Sequence, residues 1–558
     1  MKNLVLGVAI AAALSSAGAQ AAWTFGPTGV PVINSATTYT VHLSGASAAE
    51  KFLEKLFTDA TIADSEQICD TTKPIWKFQD PAATEQYAYL CERAPSNTSL
   101  PTGKANILIY KRSAGGSAFG VSPIVAEANG DTAGASIEFL KISSSTTFAN
   151  GGCDVVSNPV AGTSSSNGTL GVVKCAYDPA NPARHEKKIP DFGVSDVDPG
   201  QFKGVNAPID PATGSPYPDV STDDVSKLTV KAAAAVAFGV PVTKGLYFTL
   251  QAAQKVTGQV PSTCAVGDET EACMPSLTSS QVASIHSGQL ADWNQLKVGN
   301  QGLYDWAVAQ GSLTAYLPAA GKSFLHTCRR ENGSGTQAQS NVKFLSNPCN
   351  ASAVAPASDA AAVGAAEGDG YPMVHENSTS GRVDECLNEL NDGVNNLGTA
   401  FNNTYGKRWA VGIQSLEKST TTSSKYRFVK VDGVAPKLAN VVNGRYKDWA
   451  ENTFQYWPSH AFESLPLVDA LIKSAASPTV MSKLNTFSQT FHNASAPVSE
   501  KGAFLAVPTN YAPEANGVYS FSRPVNPYTH ATTSAGADAC RLPSVYNDSA
   551  SALGDSQL

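Results

Sequence analysis

The densest chemical pattern in this 558-residue chain is Arg330-Glu331-Asn332-Gly333-Ser334-Gly335-Thr336. Glycines let a backbone approach a ligand closely. Ser and Thr hydroxyls add donors, and an Arg offers a planar, charged fork that suits an oxyanion. If a helix starts here, its unpaired N–H groups and about half a positive charge face the same point. The chemistry implied is non-covalent capture of a small anion. The same residues also read as a Gly/Ser turn that caps a helix beside a surface Arg. No G-x-S-x-G nucleophile, H-E-x-x-H or C-x-x-C occurs, and no acid pair is marked by spacing. A binding protein is therefore expected, with no catalytic residue, cofactor or metal site; a phosphate-ester hydrolase is the weaker rival.

The surrounding pattern is α/β. Thr38 to Leu43 alternate as a strand, Ser44-Gly45-Ala46-Ser47 turn the chain, and Phe52, Leu53, Leu56 and Phe57 mark one face of a helix. Asn106–Tyr110 repeats the strand, followed by the loop Ser113-Ala114-Gly115-Gly116-Ser117. Further strands are predicted at Ile137–Ile142, Asp191–Val194, Phe324–Thr327, Ala410–Ile413 and Tyr426–Val431. Ala232–Val242 is an apolar run expected to cross between two lobes as a buried strand. Residues 277–296 read as a compact helical unit, 143–190 as a Ser/Asn/Gly/Pro-rich insertion, 351–370 as helix or loop, and 530–558 as a loose extension.

Bulk properties narrow the partners. Charged residues are 15% and the net charge is -8, which argues against nucleic acid, whose phosphates demand clustered Lys and Arg. Net acidity does not exclude a small anion, because local donors decide that contact. Lys2, the apolar run Leu4–Leu14 and Ala19-Gln20-Ala21 form a secretory pattern, so residues 1–21 are expected to be a removed signal. The run is too short to span a membrane, and no Cys follows for a lipid anchor. A periplasmic or secreted location is expected, with no membrane anchor. The ten cysteines then suit disulfides. Their spacing suggests Cys69–Cys91, Cys153–Cys175, Cys264–Cys273 and Cys328–Cys349, with Cys386–Cys540 left at long range, although spacing alone does not fix connectivity.

Several segments, in order, resemble the phosphate-binding-protein family that serves ABC transporters. Arg330 to Thr336 resembles its phosphate-contacting loop, and Ser44–Ser47 its N-terminal strand-to-helix turn. Tyr110–Ser117 and Asp191-Phe192-Gly193-Val194-Ser195-Asp196 resemble two further turns. Leu277 to Asn294 resembles its Leu-Thr…Trp-Asn segment, and Val411–Ile413 with Asn443–Tyr446 its return to the first lobe. The ordered match covers about residues 38–460.

The resemblance implies a two-lobed, periplasmic-binding-protein-like α/β fold with discontinuous lobes, a hinge and disulfide-stapled insertions. Lobe one would comprise 22–242 and 408–558, and lobe two 243–407. It implies a small oxyanion, phosphate first, bound between the lobes, and a transporter permease as partner. Asp196 would accept a hydrogen bond from a protonated oxyanion, or else cap a turn. Arg330 would meet the charge, and Ser334, Gly335 and Thr336 would donate. Gly115, Gly116 and Ser117 would close the site from lobe one, with Ser47 and Ser195 in the matching turns. Two departures bear on the ligand. Asn332 stands where the family usually has Asp, and Ala49-Glu50 where it has Thr-Phe. Ser47-x-x-Glu50 reads as a capping box; Arg112 is a nearby cation that would offset Glu50. These departures leave open a structural or interaction protein on the same scaffold, with anion binding altered or lost.

Overall fold

The computed structural model describes residues 23–545, apart from 48–49, 164–167, 211–212, 396–402, 419, 461–462, 487–500, 508–516 and 532–535; the side chains of 50–52 are likewise outside it. The expected signal at 1–21 and the Glu50 side chain therefore lie outside the described residues.

Two sheets organise the described chain. The larger has eleven strands, in the order Gln414–Ser415, Thr229–Gly239, Trp449–Tyr456, Phe192–Ser195, Thr38–Gly45, Asn106–Arg112, Gln86–Glu92, Trp76–Gln79, Gly171–Cys175 and Cys153–Ser157, with Phe504–Ala506 also paired to Thr229–Gly239. Thr38–Gly45 runs parallel to both Asn106–Arg112 and Phe192–Ser195. Asn106–Arg112 and Phe192–Ser195 are buried throughout. Burial on both faces is what parallel strands require, and it explains their near-continuous apolar runs. The smaller sheet has the order Met373–Asn377, His326–Arg330, Ala410–Gly412, Pro241–Thr243 and Tyr426–Phe428. The first three of these are parallel.

The apolar run at 232–242 does pass from one sheet to the other. It does so as two strands, Thr229–Gly239 and Pro241–Thr243, with Val240 between them. The strand expected at Phe324–Thr327 is His326–Arg330 instead. Its pairing with Met373–Asn377 continues through both arginines, whose charge masks the strand in the sequence. Residues 410–412 and 426–428 belong to the smaller sheet, Gln414–Ser415 between them pairs with the larger one, and the long strand Trp449–Tyr456 then lies in the larger sheet. The insertion at 143–190 adds a hairpin, Cys153–Ser157 with Gly171–Cys175, to the far edge of the larger sheet.

Five disulfides staple the fold. Cys69–Cys91, Cys153–Cys175 and Cys264–Cys273 are as spacing suggests. The other two differ: Cys328 bonds Cys386, and Cys349 bonds Cys540. The reason is the helix Gly335–Leu345, which lies between Cys328 and Cys349. Eleven helical residues advance the chain by about 16 Å, far beyond the ~7 Å Cα separation a disulfide can bridge. Cys386 instead sits on the helix Ser380–Asp392, which packs on the strand carrying Cys328, with their Cα atoms 6.0 Å apart.

Candidate functional site

Ligands of open α/β sheets bind beyond the carboxyl ends of parallel strands. Here the carboxyl ends of both sheets converge. From the larger sheet come the turns after Gly45, Arg112 and Ser195; from the smaller, those after Arg330 and Asn377. Helix Gly335–Leu345 starts at the meeting point, capped by Ser334, whose Oγ accepts from the Gln337 N–H at 3.4 Å.

Arg330 is 1% exposed, not the surface Arg of the simpler reading. Its Nη1 donates to Ser47 Oγ at 3.3 Å and to Ser380 Oγ at 3.1 Å. Nη2 donates to the Ser378 carbonyl at 2.7 Å and Nε to that of Asn377 at 3.2 Å. Ser47 and Arg330, 283 residues apart, are thus joined across the two sheets. Asn332 does not serve Arg330; its Oδ1 accepts from Arg329 Nη1 at 3.5 Å, while Arg329 pairs with Glu376.

Asp196 is equally buried. Its N–H donates to Ser117 Oγ at 3.1 Å. Its carboxylate accepts from Thr336 Oγ1 at 3.4 Å and from Asn452 Nδ2 at 3.5 Å. Burial pushes its pKa up to about 6, against the pull of Arg330, Thr336, Lys111 and Ser117. A carboxyl so placed exchanges a proton near neutrality and can act as hydrogen-bond acceptor or donor.

Close backbone approach holds the two halves together. Ala118 N–H donates to the Gly333 carbonyl at 2.8 Å. A Cβ on Gly335 would lie 2.4 Å from Ser117 Oγ and 2.8 Å from Asp196 Cβ, so the helix can start here only with glycine. Gly116 has φ 66° and would place a Cβ 3.0 Å from Ser334 Cα. Ser47, Gly116, Ser117, Asp196, Arg330, Gly335 and Thr336 are therefore brought together. Gly115 stands one step back, its α-carbon facing the Phe119 ring. Ser195 turns to its own loop, its Oγ accepting from the Val197 N–H at 3.2 Å.

Sequence reasoning missed three contributors. Lys111 is 1% exposed, with Nζ donating to Gly45 O at 2.6 Å, Ser113 Oγ at 2.9 Å and Arg112 O at 3.1 Å. It ties two turns of the larger sheet together and adds a second positive charge near Asp196. Its signal is a Lys near the end of an apolar strand, one residue short of the Arg112 that precedes the Ser113–Ser117 turn. Ser378 and Ser380 are the others, just beyond a strand that was not read. Glu331, beside Arg330, is pushed up to about 7 by burial. A groove of about 670 Å³ lies apart from these groups, near Gly288, Val354, Val363 and Tyr371, and its lining holds no Lys, Arg or His.

No family model and no curated protein matches the chain. Solved structures do. A phosphate-binding protein from Stenotrophomonas maltophilia aligns with 78% of this chain and 84% of its own at 11% identity and TM-score 0.33. An ABC-type phosphate transport receptor from Vibrio cholerae aligns with 53% of this chain and 79% of its own, at 12% identity and TM-score 0.28. PstS from Borrelia burgdorferi gives 53% and 78%, 11% identity and TM-score 0.24.

Proposed function

We propose that this chain is an exported solute-binding protein that takes a small oxyanion, phosphate in first place, between a lobe built on the larger sheet and one built on the smaller. The observation that supports this most is the meeting of strand ends from both sheets at one buried point. There the Arg330 and Lys111 cations, the Ser47, Ser117 and Thr336 hydroxyls and the start of a helix surround Asp196. Arg330 meets the charge, the helix start and hydroxyls donate to the oxygens, and Asp196 accepts from a protonated oxygen. The lobes hinge about the crossings near Val240 and Ile413 to admit the anion. A permease of an ABC transporter is the partner in this reading, and the secretory pattern at 1–21 supports a location in the periplasm or outside the cell.

One observation favours a second reading, a structural or interaction protein with lost anion binding. Arg330 spends donors on Ser47, Ser378, Ser380 and Asn377, and the lobes touch directly between Ala118 and Gly333. Calorimetric titration with phosphate, sulfate and arsenate separates the two. A specific ligand at 100 times its Kd also stabilises the fold by about 2.7 kcal/mol. No heat and no thermal shift with any of the three anions refutes the binding reading. Turnover of a phosphomonoester would instead favour a hydrolase.

A further inference from the structure

We propose that the Cys349–Cys540 bridge is a tether that limits how far the two lobes open at the anion site, and so sets the rate of ligand exchange. The inference rests on the binding reading above, and it goes beyond it.

One end of the tether is mounted on the helix that starts at the site. Helix Gly335–Leu345 packs on the side of the smaller sheet, where Ser340 Oγ lies 3.1 Å from His286 Nδ1 of the helix Ser279–His286. Four residues past its end, Cys349 bonds Cys540, with Cα atoms 5.2 Å apart.

The other end is mounted on the larger sheet. The Ala539 N–H donates to Asp198 Oδ1 at 2.8 Å, and Cys540 Sγ lies 3.6 Å from the Gln201 side chain. Asp198 stands two residues beyond Asp196. Further back, Thr529 Oγ1 and the His530 N–H both donate to Glu451 Oε1, at 2.8 and 2.7 Å, and the His530 ring lies 4.3 Å from that of Trp449. Glu451 is the neighbour of Asn452, which donates to Asp196. The bridge thus joins the helix bearing Thr336 to the segments that hold Asp196.

Arg330, Asp196, Ser117 and Thr336 are all at most 1% exposed, so an anion reaches them only when the lobes part. The contacts that must yield along the helix are hydrogen bonds. They are Ala118 to Gly333, Thr336 to Asp196, Gln339 to Asp448 and to the Trp449 carbonyl, and Asn341 to Asn206. Each such bond is individually weak in net terms and breaks thermally. The disulfide does not. It holds the far end of the helix against the Asp198 loop while the near end lifts, which keeps the open state narrow.

The test is the double variant Cys349→Ser/Cys540→Ser, with the other four bridges verified by peptide mapping. Phosphate release is followed by stopped flow, and amide exchange at 335–345 by mass spectrometry in phosphate-free buffer. The expected result is release about tenfold faster or more, with exchange at 335–345 raised by a similar factor. Unchanged release and exchange overturn the tether. If the parent binds no phosphate, the binding reading fails, and the exchange measurement alone decides on the tether. If the variant does not fold, the parent is titrated with a mild reductant. Release and exchange must then rise with alkylation of Cys349 and Cys540 and not with that of the other eight cysteines; a rise that follows another bridge overturns the proposal.

Discussion

Replacing Asp196 by Asn should make the protein more stable at alkaline pH and worse at binding phosphate. The carboxyl has a pKa of about 6, against an ordinary 3.8, because burial opposes its charge. A group whose folded pKa is raised keeps a proton between pH 4 and 6 that the unfolded chain has already lost. Stability therefore falls as pH rises through that window and is level above it. Two units at about 1.4 kcal/mol each give a cost of ionisation near 3 kcal/mol at pH 8. Thr336 and Asn452 reach the carboxylate only at 3.4 and 3.5 Å. An amide keeps one of these contacts and loses the other, at about 1 kcal/mol. The net expectation is a gain of about 2 kcal/mol at pH 8 that vanishes by pH 4, read from urea unfolding at both pH values. Binding should move the opposite way. Loss of a charged acceptor costs about 1.5–3 kcal/mol, or roughly 10- to 150-fold in the Kd for phosphate. Sulfate, which offers no proton, should lose nothing or gain. Calorimetry at pH 8 supplies both constants. A folded variant with unchanged phosphate affinity would remove Asp196 from the site. An unchanged or lower stability at pH 8 would refute the argument from burial.

Other expectations concern charge and covalent structure. Arg330→Ala should weaken phosphate binding by roughly 2–5 kcal/mol. It should also lower stability by about 1–3 kcal/mol, since the Asn377 and Ser378 carbonyls lose their donor; calorimetry and denaturation read these separately, and full affinity in the folded variant would refute the assignment. His42 and His460 flank Asp191 at 3.5 and 3.4 Å, and Glu186 and Glu127 lie on their outer sides. Burial works against their charge, but these carboxylates outweigh it and hold both imidazoles above the ordinary 6.5. Their contribution is complete below pH 6.5 and lost as pH rises through the raised values. The His42→Gln/His460→Gln double variant should therefore show a smaller loss of stability between pH 6.5 and 8 than the parent, and an equal loss would contradict the network. Thiol titration of the unfolded, unreduced protein should find no free cysteine. Peptide mapping should find Cys328 with Cys386 and Cys349 with Cys540.

The first half of the site could be read from residue types because its strands, one alternating and one a continuous apolar run, are followed by Gly-containing turns. Thr38–Gly45 and Asn106–Arg112 fall where that pattern puts them. The second half resisted for a physical reason: its strand ends in Arg329-Arg330, and two charged residues look like surface until the partner strands that bury them are known. Lys111 hid in the same way. Ser378 and Ser380 contact Arg330 from a turn whose position depends on the Met373–Asn377 pairing, a long-range fact that local pattern does not contain. The glycines at 116 and 335 were visible as glycines, but what each must avoid, a neighbour from the opposite sheet, was not.

The difference between the nearest and the actual cysteine partners has a consequence for folding. Three bridges close loops of 9 to 22 residues within local structure and can form early. The remaining pairs close spans of 58 and 191 residues, whereas the rejected pair Cys328–Cys349 would close about 21. Loop-closure entropy favours that wrong pair over Cys328–Cys386 by about 1 kcal/mol, and over Cys349–Cys540 by about 2 kcal/mol. In an oxidising chain Cys328–Cys349 is therefore the competing non-native pair, and the helix Gly335–Leu345 holds these two cysteines too far apart once it forms. A chain that closes the wrong pair corrects it by thiol–disulfide exchange, with Cys386 and Cys540 as the native partners. A chain truncated before Cys540 leaves Cys349 with no native partner, so the native bridge set requires the C-terminal segment.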